Sequence, residues 1–295
     1  MRVLISGATG FLGSHLVPFL REHGYEVSRL TRRPTAADDL AWDPAQGKID
    51  LTNFPAVDAV VHLAGENIAD GRWTDEKKQR IRDSRILSTR LLSKVLAGGV
   101  HRPQVFISAS AVGYYGDRGD QVVTEESESG EGFLAEVCRQ WEAETQPAVD
   151  AGIRTVHLRN GLVLAADGGA LHTMLLPFKS GLGGPVGSGQ QYWSWISLPD
   201  WLHVILHCIG TQQTAGPLNA TAPNPVRNTE FTDALGRVLH RPTLVPVPAF
   251  MLRLTLGEMA DEMLLASARV MPSRLQACDY RFTHETIDEA LRALL

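Results

Sequence analysis

The chain of 295 residues is 44% hydrophobic and 21% charged, the make-up of a globular protein with a substantial core. A formal net charge of -5 weighs against nucleic acid as the principal ligand, because a phosphate backbone calls for a basic surface. Every long apolar run is interrupted by Pro, Gly or a charge, so no membrane-spanning segment is expected. Three widely spaced cysteines, Cys138, Cys208 and Cys278, form neither a CxxC pair nor a disulfide framework, which points to a reducing, cytoplasmic compartment. Only Arg2 precedes the first apolar run and no small-residue cleavage site follows it, so a secretory signal is not expected.

Residues 2–5 form a short apolar strand that stops at Ser6 and Gly7. A helical pattern runs from residue 11 to about 23, with Leu12, Leu16, Phe19 and Leu20 on one face and Gly24 ending it. A second strand covers residues 25–30. Residues 57–63 (VDAVVHL) read as a strand buried on both faces, as in a parallel sheet. The next helix spans about 74–96, with Asp75 and Glu76 suited to the positive end of its dipole. A strand at 105–108, a helix at 131–149 and a strand at 154–158 follow. Alternating strands and helices predict a doubly wound parallel α/β sheet of the Rossmann type. After Val163 the periodicity fades into a stretch rich in Gly, Pro and aromatics, relieved by a helix at 200–210 and a last strand at 217–220. Six prolines break residues 223–272 into short pieces. Residues 1–164 plus about 200–222 are therefore expected to form a nucleotide-binding domain. Residues 165–199 plus 223–295 are expected to form a smaller C-terminal substrate lobe.

The first strand runs into Gly7-Ala8-Thr9-Gly10-Phe11-Leu12-Gly13, a GxxGxxG pattern that opens a helix. Glycines there let the turn close and let a diphosphate lie against backbone N–H groups. The third allows the helix to sit close to the sheet. A purely structural turn is the alternative, but strand, loop and amphipathic helix come in the required order. An NAD site places Asp or Glu at the end of the second strand to bind the ribose. Here that stretch reads Leu30-Thr31-Arg32-Arg33-Pro34, with no carboxylate until Asp38. An arginine suits a 2′-phosphate through charge-assisted contacts, so NADP is the expected cofactor, with Thr31 and Arg32 at its adenosine end.

The phrases GATGFLG, VVHLAGENI and FISASAVGYYG resemble the extended short-chain dehydrogenase/reductases, the group of the NAD-dependent epimerase/dehydratase type. Further phrases narrow the likeness: WDP at 42–44, LRNGLVL at 158–164, the long run GGALHTMLLPFKSGLGGPVGSGQQYWSWI at 168–196, and GEMADEMLLASARVMPSRL at 257–275. These resemble the YfcH-like epimerase family over essentially the whole chain. The resemblance implies a Rossmann domain with a dinucleotide cleft, with Leu63 and Ala64 on the adenosine side and Val163 on the nicotinamide side. It supplies no substrate.

On the long helix Ile81, Arg85, Ser88 and Leu92 share one stripe. Arg85 thus falls among core-facing residues, and a buried guanidinium needs a partner. The cofactor diphosphate is one candidate and a sheet-end carboxylate another. Arg80, on the neighbouring stripe, is a second candidate cofactor contact.

Short-chain dehydrogenases carry Tyr-x-x-x-Lys on a helix beside the cofactor, and the lysine helps bring the tyrosine pKa down from about 10. Aligned on Glu142, those positions hold Leu134 and Cys138 here, and neither can do that work. Ser110 remains at the place of the usual catalytic Ser/Thr. Tyr114 and Tyr115 follow it, and Tyr115 with Ser110 is the candidate catalytic pair; both tyrosines could equally only shape the pocket. Glu66 and Asn67 lie beyond a strand's carboxyl end, where open α/β sheets bind ligands. Together with Tyr114, Tyr192 and Trp195 they are candidate substrate-side residues. His203 and His207, four apart on a helix, lack a third ligand motif, so no metal site is expected. The expectation is an NADP-dependent oxidoreductase or nucleotide-sugar-epimerase-like enzyme for a small polar molecule, monomeric or homodimeric. The alternative is a non-catalytic NADP-binding redox sensor or regulator.

Overall fold

A computed structural model describes residues 1–36, 39–50 and 56–295, so Asp38 lies outside the described residues. Its frame is an eight-stranded sheet of β1 (Arg2–Ser6), β2 (Glu26–Thr31), β3 (Asp39–Asp43), β4 (Lys48–Ile49), β5 (Ala59–His62), β6 (Val105–Ala111), β7 (Arg154–Asn160) and β8 (Gly216–Ala220). The spatial order is β8-β7-β6-β5-β1-β2-β3-β4. All neighbours are parallel except β3 and β4. Strands are added outward in both directions from the β1–β5 pair. That reversal opens a crevice at their carboxyl ends, the usual ligand position in doubly wound sheets.

The strands lie close to their expected places, and β5 is buried along its whole length, as its unbroken apolar run implies. β3 and β4 were not anticipated. β3 begins and ends on aspartates, and pairing rather than side-chain pattern creates it.

Helix α1 (Phe11–Glu22) turns Leu16 and Leu20 fully inward. Helix α2 (Asp75–Gly98) is capped by the Thr74 hydroxyl, which accepts the Lys77 N–H at 3.2 Å. Its stripe of Ile81, Ser88 and Leu92 is buried. The helix expected over 131–149 is two: α3 (Phe133–Ala143) and a short helix at Gln146–Asp150. Pro147 is the reason. It has no N–H for the Ala143 carbonyl, and it fits only in a first helical turn.

One apolar core packs α1 and helix Leu198–Gly210 on one face of the sheet, and a second packs α2 on the other. A separate core forms away from the sheet, from helices Gly169–Lys179, Asn228–Leu239 and Ile287–Leu294 around Trp193 and Trp195. Burying one leucine-sized side chain contributes about 1.5–3 kcal/mol, so this core can hold its helices together. Among the described residues no helix is long and apolar enough to cross a membrane.

Candidate functional site

The loop between β1 and α1 is shaped by backbone contact. Gly7 has φ of +71°, and a Cβ on it would come within 2.7 Å of the Leu63 carbonyl carbon. A Cβ on Gly13 would lie 2.2 Å from the Gly7 carbonyl oxygen. Both positions therefore exclude larger residues, and α1 starts directly at the end of β1. Gly10 forms the N-cap and brings no side chain to the first-turn N–H groups, which leaves a positive helix end facing the crevice. Phe11 and Leu12 pack their side chains against the core. Phe11 also presses on the 168–169 turn, where a Cβ on Gly168 would lie 2.4 Å from its ring. Neither side chain lines the cleft, so a ligand there would meet their backbones.

A cleft of about 710 Å³ opens there. Gly7, Thr9 and Gly10 form one wall, and Thr31 and Arg32 with Trp42 and Pro44 another. Leu63, Ala64 and Glu66 line it from β5, and Arg80, Ser84 and Leu87 from α2. Among the described residues, Asp39 and Asp43, the carboxylates that follow β2, have partners within the protein. Asp39 takes two bonds from Arg29, at 2.6 and 2.9 Å, and the N–H groups of Thr35 and Ala36. Asp43 accepts the N–H groups of Ala45 and Gln46. Arg32 is exposed and makes no ion pair among the described residues.

At the end of β5, Glu66 accepts a 2.8 Å bond from Lys77 and lies 3.6 Å from Arg80. The Lys77 bond, aided by both positive charges, holds the Glu66 carboxyl below its ordinary range. Lys77 is buried, and the helical pattern alone did not single it out. Arg85 does not line the cleft. Its guanidinium lies behind Gly65, donates to the carbonyls of Glu66 (3.1 Å) and Ile81 (3.0 Å), and stands 5.1 Å from the Trp141 ring. The expected partner, a diphosphate or a carboxylate, is replaced by two carbonyls and an aromatic face. Val163 packs on the sheet core, paired with Ile196, and is also absent from the cleft wall.

The positions of the usual proton relay are packed against protein, Cys138 wholly and Leu134 in part. Leu134 belongs to an apolar cluster with Trp73, Phe133 and Met259. Cys138 points its thiol at the Ala111 carbonyl, 3.8 Å away, and burial pushes that thiol up to about 11. Ser110 donates a 2.7 Å bond to Glu142. Glu142 also receives Arg159 through both oxygens, at 2.9 Å each. Arg159 donates to the Tyr115 hydroxyl (2.9 Å) and lies 3.5 Å from the Tyr114 ring centre. Tyr115 is fully buried and donates to Asn219 at 2.7 Å. Burial raises its pKa above the ordinary tyrosine value. This corrects the expectation for Tyr115: its hydroxyl has two protein partners and no route to a substrate. Glu142 and Arg159 escaped the sequence reading, although an arginine inside an apolar strand was a signal for a buried partner.

Trp195 is likewise corrected from a cleft wall to a core residue, fully buried and bonded to the Asn224 carbonyl. Tyr192 is half-buried between the guanidinium groups of Arg227 (4.6 Å) and Arg269 (5.0 Å). Asn67 is exposed and closes a turn by accepting the Ala69 N–H. His203 bonds the Pro199 carbonyl and His207 packs edge-on to Tyr280. The site thus brings together Gly7, Thr9, Gly10, Thr31, Arg32, Leu63, Ala64, Glu66 and Arg80, and leaves Tyr115, Arg85 and Trp195 behind it.

A glycine-lined helix end at the switch point of a doubly wound sheet defines a dinucleotide-type α/β protein. Residues 3–217 match the NAD dependent epimerase/dehydratase family, and residues 247–294 match a domain of unknown function, DUF1731. The chain belongs to the NAD dependent epimerase/dehydratase family. It is 46% identical over 291 residues to an epimerase family protein of Mycobacterium leprae, spanning 98% of this chain and 94% of that protein. It is 34% identical over 298 residues to human epimerase family protein SDR39U1, spanning 100% of both. The crystal structure of human SDR39U1 (isoform 2) with NADPH superposes with a TM-score of 0.93 at 33% identity, covering 100% of this chain and 99% of that one. A UDP-N-acetylglucosamine 4-epimerase from Bacillus cereus, at 15% identity and a TM-score of 0.77 over 100% and 98% of the two chains, shares the fold.

Proposed function

We propose that the crevice between the Gly7–Gly13 loop, β2, β5 and α2 binds NADP, and that the chain is an oxidoreductase or epimerase-like enzyme acting on a small molecule with a polar reacting group. The observation that carries the reading is the pair Thr31 and Arg32 at the end of β2, where an NAD site would present a carboxylate. Arg32 has no protein carboxylate among the described residues and suits a 2′-phosphate. The NADPH in the human relative supports the same reading. Backbone N–H groups of residues 10–13 would hold the diphosphate, and Arg80 would reach its edge. The cofactor supplies or accepts hydride when bound, while Ser110, Glu66 and Asn67 orient the substrate's oxygen. Residues 1–164 with about 200–222 serve as the cofactor domain, and the remainder as the substrate lobe. A cytoplasmic setting accords with three free cysteines, and a monomer or homodimer completes the proposal.

The test is calorimetric titration with NADPH and NADH, on the wild type and on Arg32→Asp. Loss of a charged contact worth about 1.5–3 kcal/mol predicts about 10- to 150-fold weaker NADPH binding with little change for NADH. Equal loss for both would remove the assignment of the 2′-phosphate.

A second reading, NADP binding without turnover in a sensor or regulator, is favoured by the packing of Leu134 and Cys138. Hydride exchange from labelled NADPH across a carbonyl and sugar panel separates the two. Exchange supports the enzyme, and failure throughout supports the sensor.

A further inference from the structure

Among the described residues, the carboxylates that line the cleft are Asp43, Glu66, Glu76 and Asp83. Negative charge there opposes an anionic dinucleotide, so a carboxylate held in place at such a wall calls for a ligand group of its own. Asp43 is taken up by the N–H groups of its own turn. Glu76 and Asp83 pair with no cation outside α2 among the described residues; Asp83 has only its neighbour Arg82, at 3.8 Å.

Glu66 is different, because main chain and side chain are both fixed. Its N–H donates to the Ser84 hydroxyl at 2.9 Å, its carbonyl accepts Arg85 at 3.1 Å, and its Oε1 accepts Lys77 at 2.8 Å. Lys77 makes that bond from inside the protein, with its side chain 5% exposed. Were Glu66 to swing away, the ammonium would stay buried without its counter-charge, so the carboxylate is kept where it is. The nearest nitrogen of Arg80 approaches the same oxygen, at 3.6 Å. Both contacts use Oε1, which leaves Oε2 of a side chain 36% exposed open to the cleft.

An ionised carboxylate only accepts hydrogen bonds. Lys77 and Arg80 favour the ionised form. A phosphate would be repelled by Oε2, and a carbonyl has no proton to give it. A second ammonium would crowd the two cations already there. A hydroxyl fits both neighbours, since it can donate to Oε2 and accept from the Arg80 guanidinium, which also lines the cleft.

We infer that Glu66, pinned by Lys77 and flanked by Arg80, is a hydroxyl-binding site of the cleft that takes a sugar-type hydroxyl. This rests on the proposed cofactor reading and deepens it. The hydroxyl can belong to a ribose of the cofactor or to the substrate, and the two sources separate by experiment.

The full chain is titrated calorimetrically with NADPH and with adenosine 2′,5′-bisphosphate, which lacks the nicotinamide ribose, as wild type and as Glu66→Gln. Saturation-transfer NMR of D-glucose on the chain, with and without NADP⁺, reads a substrate hydroxyl. Gln keeps the shape and an oxygen for Lys77. The double variant Glu66→Gln/Lys77→Met removes both charges and stands in should the single variant be unstable. A cofactor hydroxyl predicts NADPH weakened by about tenfold or more, the loss of a charge-assisted bond. Equal loss for the bisphosphate places the hydroxyl on the adenosine ribose, and loss for NADPH alone places it on the nicotinamide ribose. NADPH not weakened, with the glucose signal lost in the variant, places it on the substrate. A carboxylate that only adds to the field gives the opposite sign, because removing negative charge beside a polyanion tightens it. NADPH tightened or unchanged, with a glucose signal absent or unaltered, overturns the inference. Failure of the wild type to bind NADPH removes the cofactor reading, and glucose on the unliganded chain then decides alone.

Discussion

Replacing Glu142 with Ala should cost this protein more stability than most single changes. Glu142 is the only carboxylate that Arg159 meets among the described residues, through two bonds of 2.9 Å, and the Arg159 side chain is 4% exposed. Removing the carboxylate leaves a guanidinium buried without its counter-charge and takes the acceptor from Ser110 as well. Breaking a buried pair in this way costs about 3–5 kcal/mol, most of it the penalty on the surviving charge. For a chain of this size, at about 2 °C per kcal/mol, the melting temperature should fall by about 6–10 °C. The control is the double variant Glu142→Leu/Arg159→Met. It removes both charges and keeps the volume, so it should recover most of the loss. Urea and thermal melts of wild type, single and double variants close the cycle. A single-variant cost below about 1 kcal/mol, or a double variant worse than the single, would refute the view that Arg159 depends on Glu142.

Three further outcomes follow from the same structure. His62 is fully buried among Ser6, Ser88 and Thr89, and burial lowers its pKa to about 3. Its folded form stays neutral while the unfolded chain takes up a proton below about 6.5, so stability should fall with acid by about 1.4 kcal/mol per pH unit between those values. Urea melts at pH 7.5 and 5.5 should show that slope reduced by one proton in His62→Gln; an unchanged slope counts against it. Gly13→Ala puts a Cβ 2.2 Å from the Gly7 carbonyl oxygen, so it should cost about 1–3 kcal/mol and weaken NADPH by calorimetry; an unperturbed variant would mean that α1 can move freely. Leu134→Tyr, intended to return the usual tyrosine, puts a hydroxyl into the cluster around Trp73 and Met259 without a lysine partner. It should give no more hydride transfer with aldehydes of the carbonyl panel than the wild type, and a clear gain over wild type would show that the relay needs only that one residue.

The parts legible in the sequence are those whose physics is local. The GxxGxxG loop could be read because Gly7 and Gly13 answer to atoms a few residues away or at the adjoining strand end. The α2 stripe could be read because helical period alone decides which way Ile81, Ser88 and Leu92 point. Period gave Arg85 the right face but could not name its partners, the carbonyls of Glu66 and Ile81, which depend on how the chain leaves β5. Tyr115 was misread for the same reason at longer range. Its hydroxyl is bound by Asn219, 104 residues on, and by Arg159, and no pattern near residue 115 announces either. Trp195 looked like its neighbour Tyr192, but its indole N–H reaches a carbonyl 29 residues away and seats the ring in the core.

The cofactor half and the reaction half of the site obey different constraints, and this explains how one can persist without the other. The cofactor half is made largely of backbone: a glycine turn, a helix end and the carboxyl edge of β5, all fixed by main-chain approach. The reaction half is one side-chain stripe of α3, Leu134, Cys138 and Glu142, at intervals of four. Here the three face an apolar cluster, a backbone carbonyl and the Ser110–Arg159 pair in turn. A lysine at 138 would bring a second cation close to Arg85, which already interacts electrostatically with that position and which burial disfavours as a charge. Glu142, the carboxylate that acts electrostatically on position 138, is already bonded by Ser110 and Arg159. Such an ammonium would tend to lose its proton and with it the ability to lower a tyrosine pKa. The Arg85 that closes the back of the cleft therefore disfavours the lysine of the usual relay at position 138, and Leu134 and Cys138 themselves carry no group that could lower or replace a tyrosine's proton affinity there.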